Sequence, residues 1–130
     1  MSLNDLVSIA LSHILNCERG AKSKCTIQPI SKLLIKILDI LKEEKYIKNY
    51  KILEKKKGGI IEIELSGRIN NCGAVKPRFP VEKIEFEKFE KRYLPAAGFG
   101  ILIVSTSKGI MDHKKAIESG IGGRLLAYCY

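Results

Sequence analysis

Ser105-Thr106-Ser107-Lys108, followed by Gly109, is the stretch of this sequence richest in usable chemistry. A hydroxyl both donates and accepts hydrogen bonds, which suits the base edges and ribose 2′-hydroxyls of RNA. Lys108 can reach a phosphate, and Gly109 lets the backbone turn tightly or approach a ligand closely. The same residues would also make an ordinary polar loop between a strand and a helix, and by themselves they leave both readings open. Gly120-Ile121-Gly122-Gly123-Arg124 is a second candidate, since an arginine fork can grip phosphate or guanine. A plain turn explains its glycines equally well. Lys55-Lys56-Lys57 reads as a solvated hairpin tip.

Enzyme readings fail for want of companions. Ser105 and Lys108 match the SxxK spacing of penicillin-binding enzymes, but SDN and KTG elements are absent and 130 residues are too few for that fold. Asp112 and His113 are adjacent, and adjacent side chains rarely converge on one reacting atom. Helix capping already accounts for the aspartate, which leaves His113 as a surface or RNA-facing polar residue. Gly98-Phe99-Gly100 precedes a strand where a dinucleotide fingerprint would follow one, and there is no Walker lysine. No catalytic residue and no cofactor are expected. Cys17, Cys25, Cys72 and Cys129 form no CxxC pair. His13 and Cys17 share a helix face, but a metal would need two more ligands from elsewhere, so reduced structural thiols and no metal are expected.

These groups sit in a strongly basic chain, with 23 Lys and Arg against 14 Asp and Glu and a formal charge of +9. Such an excess draws polyanions, of which nucleic acid is the commonest. Up to Ser66 there are 12 basic and 8 acidic residues, and beyond it 11 and 6, so the charge is spread over a folded body. The hydrophobic fraction of 45% suits a globular protein, and Lys and Glu interrupt every apolar run before it reaches a membrane span. Met1-Ser2-Leu3-Asn4-Asp5 lacks the charged start and apolar stretch of an export signal.

The elements that must position the candidates follow from periodicity. Leu3, Leu6, Val7, Ala10 and Ile14 mark a helix over residues 3–17, served at its start by Asn4 or Asp5 and closed by Gly20. A short strand, 24–28, ends at Pro29. Ser31 caps a second helix running to about Lys45, with Leu34, Ile35, Leu38 and Leu41 on its apolar face. Ile47 to Leu53 and Ile60 to Leu65 form a hairpin, and Ile61, Ile63 and Leu65 alternate with glutamates. Residues 66–80 read as a junction with a short strand near Ala74 to Lys76, and 81–93 as a short amphipathic helix or turn. Phe99 to Ser105 is apolar enough for a strand buried on both faces. Thr106 to Ile110 is expected to be a loop, His113 to Ser119 a helix capped by Asp112, and Arg124 to Tyr130 a terminal strand. The expected fold is α+β in two small lobes: an N-terminal lobe of helix, strand, helix, strand, strand over residues 1–66, and a mostly β lobe with short helices over 67–130.

Several segments together carry a wider signature: Asn16-Cys17-Glu18-Arg19, Ile27-Gln28-Pro29-Ile30-Ser31-Lys32-Leu33, Gly67-Arg68-Ile69-Asn70-Asn71-Cys72-Gly73, Val75-Lys76-Pro77-Arg78-Phe79, Ser105 through His113, and Gly122-Gly123-Arg124-Leu125-Leu126-Ala127-Tyr128. With these the chain resembles, almost end to end, the universal small-subunit ribosomal protein S-eight family in its archaeal and eukaryotic form. The resemblance implies a non-catalytic protein of the cytoplasmic ribosome, monomeric when free and not membrane-bound. It would bind the central domain of small-subunit rRNA beside neighbouring ribosomal proteins and help order that domain during assembly. The family's main recognition loop falls on Ser105, Thr106 and Ser107, with Gly122 and Gly123 in the neighbouring contact region. Pro29, Ser31 and Lys32 match contacts from the amino-terminal lobe. Lys32, Lys76, Arg78, Lys108 and Arg124 are the expected phosphate contacts. Bacterial relatives carry an acidic residue where this chain has Arg124, in keeping with the archaeal type. They also bind their own messenger RNA as translational repressors, which is the alternative function.

Overall fold

The structure, a computed structural model, describes residues 3–28, 31–54, 59–76, 78–96 and 98–130, with only the backbone described at 3–5 and 54. Pro29, the lysine run of the expected hairpin tip and the capping side chains Asn4 and Asp5 lie outside what is described. Among the described residues there are four helices and two antiparallel sheets, an α+β fold. The chain divides into two compact units, Met1–Asn70 and Asn71–Tyr130.

The first unit lays two amphipathic helices, α1 (Leu3–Arg19) and α2 (Lys32–Glu43), on one face of a three-stranded sheet. Its strands are β1 (Lys24–Ile27), β2 (Ile47–Glu54) and β3 (Ile60–Leu65), in the order β1-β3-β2. Alternation along central β3 buries Ile61, Ile63 and Leu65, and the helices bury Ile14, Ile37, Leu38 and Leu41 in the same unit. On the other face the exposed Lys24 and Lys51 approach the half-buried Glu62 at 3.7 and 3.6 Å. Ser31 caps α2 as expected, its Oγ accepting from the Leu34 N–H at 3.1 Å. After α1 the left-handed residue is Ala21 (φ 57°), one position beyond the expected Gly20. The Gly67 N–H donates to Glu18 Oε1 at 3.3 Å, which holds the segment after β3 to the first unit.

The second unit is a five-stranded sheet with two short helices. Its elements are β4 (Cys72–Ala74), β5 (Pro80–Val81), α3 (Phe86–Tyr93), β6 (Ile101–Thr106), β7 (Gly109–Asp112), α4 (His113–Ser119) and β8 (Gly123–Cys129). The order is β4-β8-β6-β7, and β5 extends the β4 edge of β8. Leu102, Val104 and Leu125 point from the sheet into a core completed by Val81, Phe86 and Phe89. Gly73 leaves room for the Tyr128 ring, which stacks between Tyr93 and Tyr130; a Cβ there would lie 2.9 Å from the phenol oxygen.

Three expectations need correction. Thr106 to Ile110 is no loop, because β7 pairs with β6 from Thr106↔Gly109 to Ile103↔Asp112. β6 begins at Ile101, and Phe99 is 52% exposed in an isolated bridge to Ala96. His113 is 1% exposed where a surface residue was expected. Its Nδ1 accepts from the Leu102 N–H at 3.0 Å, and its Nε2 lies 3.4 Å from Glu90 Oε1, so the imidazole joins β6 to α3. Burial is the main cause that lowers its pKa below the usual histidine value, against the opposing charge of Glu90.

Candidate nucleic-acid interface

Ser105 to Gly109 span the tip of the β6–β7 hairpin. Thr106 pairs with Gly109, so Ser107 and Lys108 alone make the reversal. No non-glycine residue of this hairpin has positive φ; the strain of the reversal falls on Gly109, at φ 117°. Thr106 locks the turn from within. Its hydroxyl donates to the Gly109 carbonyl at 2.7 Å and accepts from the Lys108 N–H at 3.2 Å. That hydroxyl is therefore committed to the protein's own backbone.

The other two hydroxyls are not. Among the described residues neither Ser105 Oγ nor Ser107 Oγ has a hydrogen-bond partner, and Ser107 is exposed while Ser105 is half-buried. Strand alternation puts Thr106 with Val104 on the core side and Ser105 on the opposite face. Register then sets Ser105 in a cross-strand row. Pro80 of β5 pairs with Arg124 of β8, Arg124 with Ser105, and Ser105 with Ile110 of β7. Neighbours in such a row stand about 5 Å apart and present one surface. Two segments that sequence reasoning treated as separate candidates, 105–109 and 122–124, thus meet in one sheet, through the pairing of β6 with β8.

Gly122 and Gly123 have a steric reason to be glycine. A Cβ on Gly123 would lie 2.1 Å from the Ser105 carbonyl oxygen, and one on Gly122 would lie 2.3 Å from that of Val81. Their φ values are ordinary, so close backbone approach explains them. Arg124 is exposed, and its Nη1 donates to the Arg78 carbonyl at 3.2 Å. That bond aims the guanidinium while leaving other N–H groups for a ligand. Arg78 comes close to the row through its backbone, ahead of β5, and its side chain is half-buried. Lys76 is exposed just after β4. Lys108 is exposed at the tip with no ion pair among the described residues.

The remaining candidates belong to the first unit. The hydroxyl of Ser31 is occupied as the α2 cap, and Lys32 is the exposed first residue of that helix. Ile110 is a neighbour of Ser105 that sequence reasoning missed. A four-residue strand beginning at a glycine offers too short an alternation to be read. Among the described residues the arrangement is a largely polar, cationic sheet surface with two uncommitted hydroxyls and no convergent nucleophile and base. Among the described residues no helix is long and apolar enough to cross a membrane. A family model described as Ribosomal protein S8 matches residues 5–130, essentially the whole chain.

Proposed function

The chain belongs to the ribosomal protein S8 family, and from that membership and the sheet surface just described we propose how it grips rRNA. As a family member it is a ribosomal protein of the small subunit that binds rRNA, in a family of structural RNA-binding proteins. In our reading it attaches to the central domain of small-subunit rRNA and helps organise that domain during cytoplasmic assembly. It arrives as a monomer and ends beside neighbouring ribosomal proteins. The principal contact is the lobe over residues 67–130, through Ser105, Thr106, Ser107, Lys108 and Gly109 with Gly122, Gly123 and Arg124. Lys76 and Arg78 extend it, and the Pro29, Ser31 and Lys32 segment adds a contact from the other lobe.

One observation carries this reading. Ser105 and Ser107 keep their hydroxyls free of protein partners, and Ser105 pairs across the sheet with the exposed Arg124, while Thr106 and Ser31 spend their hydroxyls on the backbone. Groups that both donate and accept, one at the end of β6 and one in the turn that follows it, suit the shallow minor groove of an RNA helix with its 2′-hydroxyls. In the division of labour we propose, Ser105 and Ser107 read the RNA. Thr106 and Gly109 keep the tip in shape, Gly122 and Gly123 let the strands close up, and the cations hold phosphates. The test is to crosslink the protein to RNA in cells and sequence what is attached. Central-domain rRNA should dominate. A pool made mainly of messenger RNA, the chain's own transcript included, would overturn the assignment in favour of translational regulation.

A further inference from the structure

The fold brings a third soft ligand to the pair that looked incomplete in the sequence. His13 and Cys17 occupy successive turns of one α1 face, with His13 Nε2 4.0 Å from Cys17 Sγ. β1 alternates exposed and buried residues, and Cys25 lies on the buried side, toward α1. The imidazole nitrogen and the two sulfurs all lie within 4.8 Å of one another. No other triad of this kind occurs among the described residues. Tetrahedral zinc, with bonds of about 2.3 Å to sulfur and about 2.0 Å to nitrogen, holds such donors roughly 3.5–3.8 Å apart. A side-chain adjustment of about an ångström closes the difference.

We propose that His13, Cys17 and Cys25 form a binding site for Zn²⁺, with water as the fourth ligand. The two thiols are buried and the imidazole is exposed, so the histidine forms the mouth through which an ion enters. Beside it lies a cavity of ≈ 340 Å³ lined by Ile9, Ala10, His13, Thr26, Ile27 and Gln28, which has room for the water ligand. Two thiolates and a neutral imidazole balance the charge of the ion. Borderline-soft zinc prefers this donor set to the hard cations magnesium and calcium. Without an ion Cys25 is a protonated thiol, pushed up to about 12 chiefly by burial and then by the Cys17 thiol. Binding therefore releases one proton from each sulfur to solvent as the two Zn–S bonds form. The bound ion would clip β1 to α1 immediately ahead of α2. The proposal rests on these three side chains and not on the reading of the RNA surface, so neither falls with the other.

The test uses the full chain, reduced, stripped with a chelator and titrated with Co²⁺ under absorbance. One equivalent should develop thiolate-to-cobalt charge-transfer bands with tetrahedral d–d bands, and one equivalent of Zn²⁺ should bleach both. His13→Gln, at an exposed position that leaves the core untouched, should keep the native circular dichroism and weaken binding at least tenfold. Cys25→Ser should abolish the charge-transfer bands. Reduced wild-type chain that develops no thiolate bands at stoichiometric cobalt would overturn the site. So would bands of undiminished strength and affinity in folded His13→Gln.

Discussion

The hairpin tip of the second unit and the start of α2 in the first both carry a serine beside a lysine, yet they use them differently. At α2 the Ser31 hydroxyl is consumed by the Leu34 N–H, so the serine builds the helix that presents Lys32. At the tip Thr106 takes over the structural task with two hydrogen bonds, and Ser105 and Ser107 are left without partners. The contrast separates hydroxyls that hold the protein together from hydroxyls available to a ligand. Residue type cannot make that distinction. Hydrogen-bond accounting can.

The largest expected effect comes from Gly123→Ala. Backbone, not a flexible side chain, stands 2.1 Å from the added Cβ, so β6 and β8 must part. The cost should lie at the top of the ~1–3 kcal/mol range for overpacking, and RNA binding should fail with the fold. Urea unfolding followed by circular dichroism measures it; a stable variant that still binds RNA would separate the two strands' roles. Next come the structural hydroxyls. Ser31→Ala should cost about 1 kcal/mol of stability through the lost cap, and Thr106→Val about as much through the turn. Unchanged stability in either would erase the contrast from its structural side.

His113 gives the comparison a pH axis. Its folded pKa lies below the ordinary 6.5, so the unfolded chain takes up the proton first. The stability conferred by the buried neutral ring is complete above pH 6.5 and declines as pH falls below it, toward the depressed folded value. Melting temperature measured on either side of pH 6.5 should show the decline, and His113→Asn should flatten it. The smallest effect is that of Lys108→Ala. RNA affinity should weaken modestly, with the salt slope reduced by about 0.7–0.9, one phosphate's worth. An unaltered slope would remove Lys108 from the phosphate contacts.

Long periodic elements were legible in the sequence. α1, α2, β3 and β6 each bury an apolar pattern regular enough to dictate type and approximate bounds. The caps at Ser31 and Asp112 were legible too, because a small polar residue before an apolar run has few other uses. What escaped depends on partners distant in sequence. β5 and β7 are two and four residues long and exist because β8 and β6 pair with them. The cross-strand row from Arg124 through Ser105 to Ile110 follows from that register, which no local pattern encodes. His113 looked like a surface residue because its partners, Leu102 and Glu90, lie 11 and 23 positions away. Likewise the Cys25 that completes the His13 and Cys17 pair comes from another element.

The central claim is that Ser105 and Ser107 serve the RNA and not the fold. Filter binding of Ser105→Ala and Ser107→Ala to a central-domain rRNA fragment, paired with urea unfolding of the same variants, tests it most directly. Each substitution should lose on the order of 1–3 kcal/mol of binding free energy while stability stays within about 0.5 kcal/mol of the parent. Full affinity in both variants would contradict the claim.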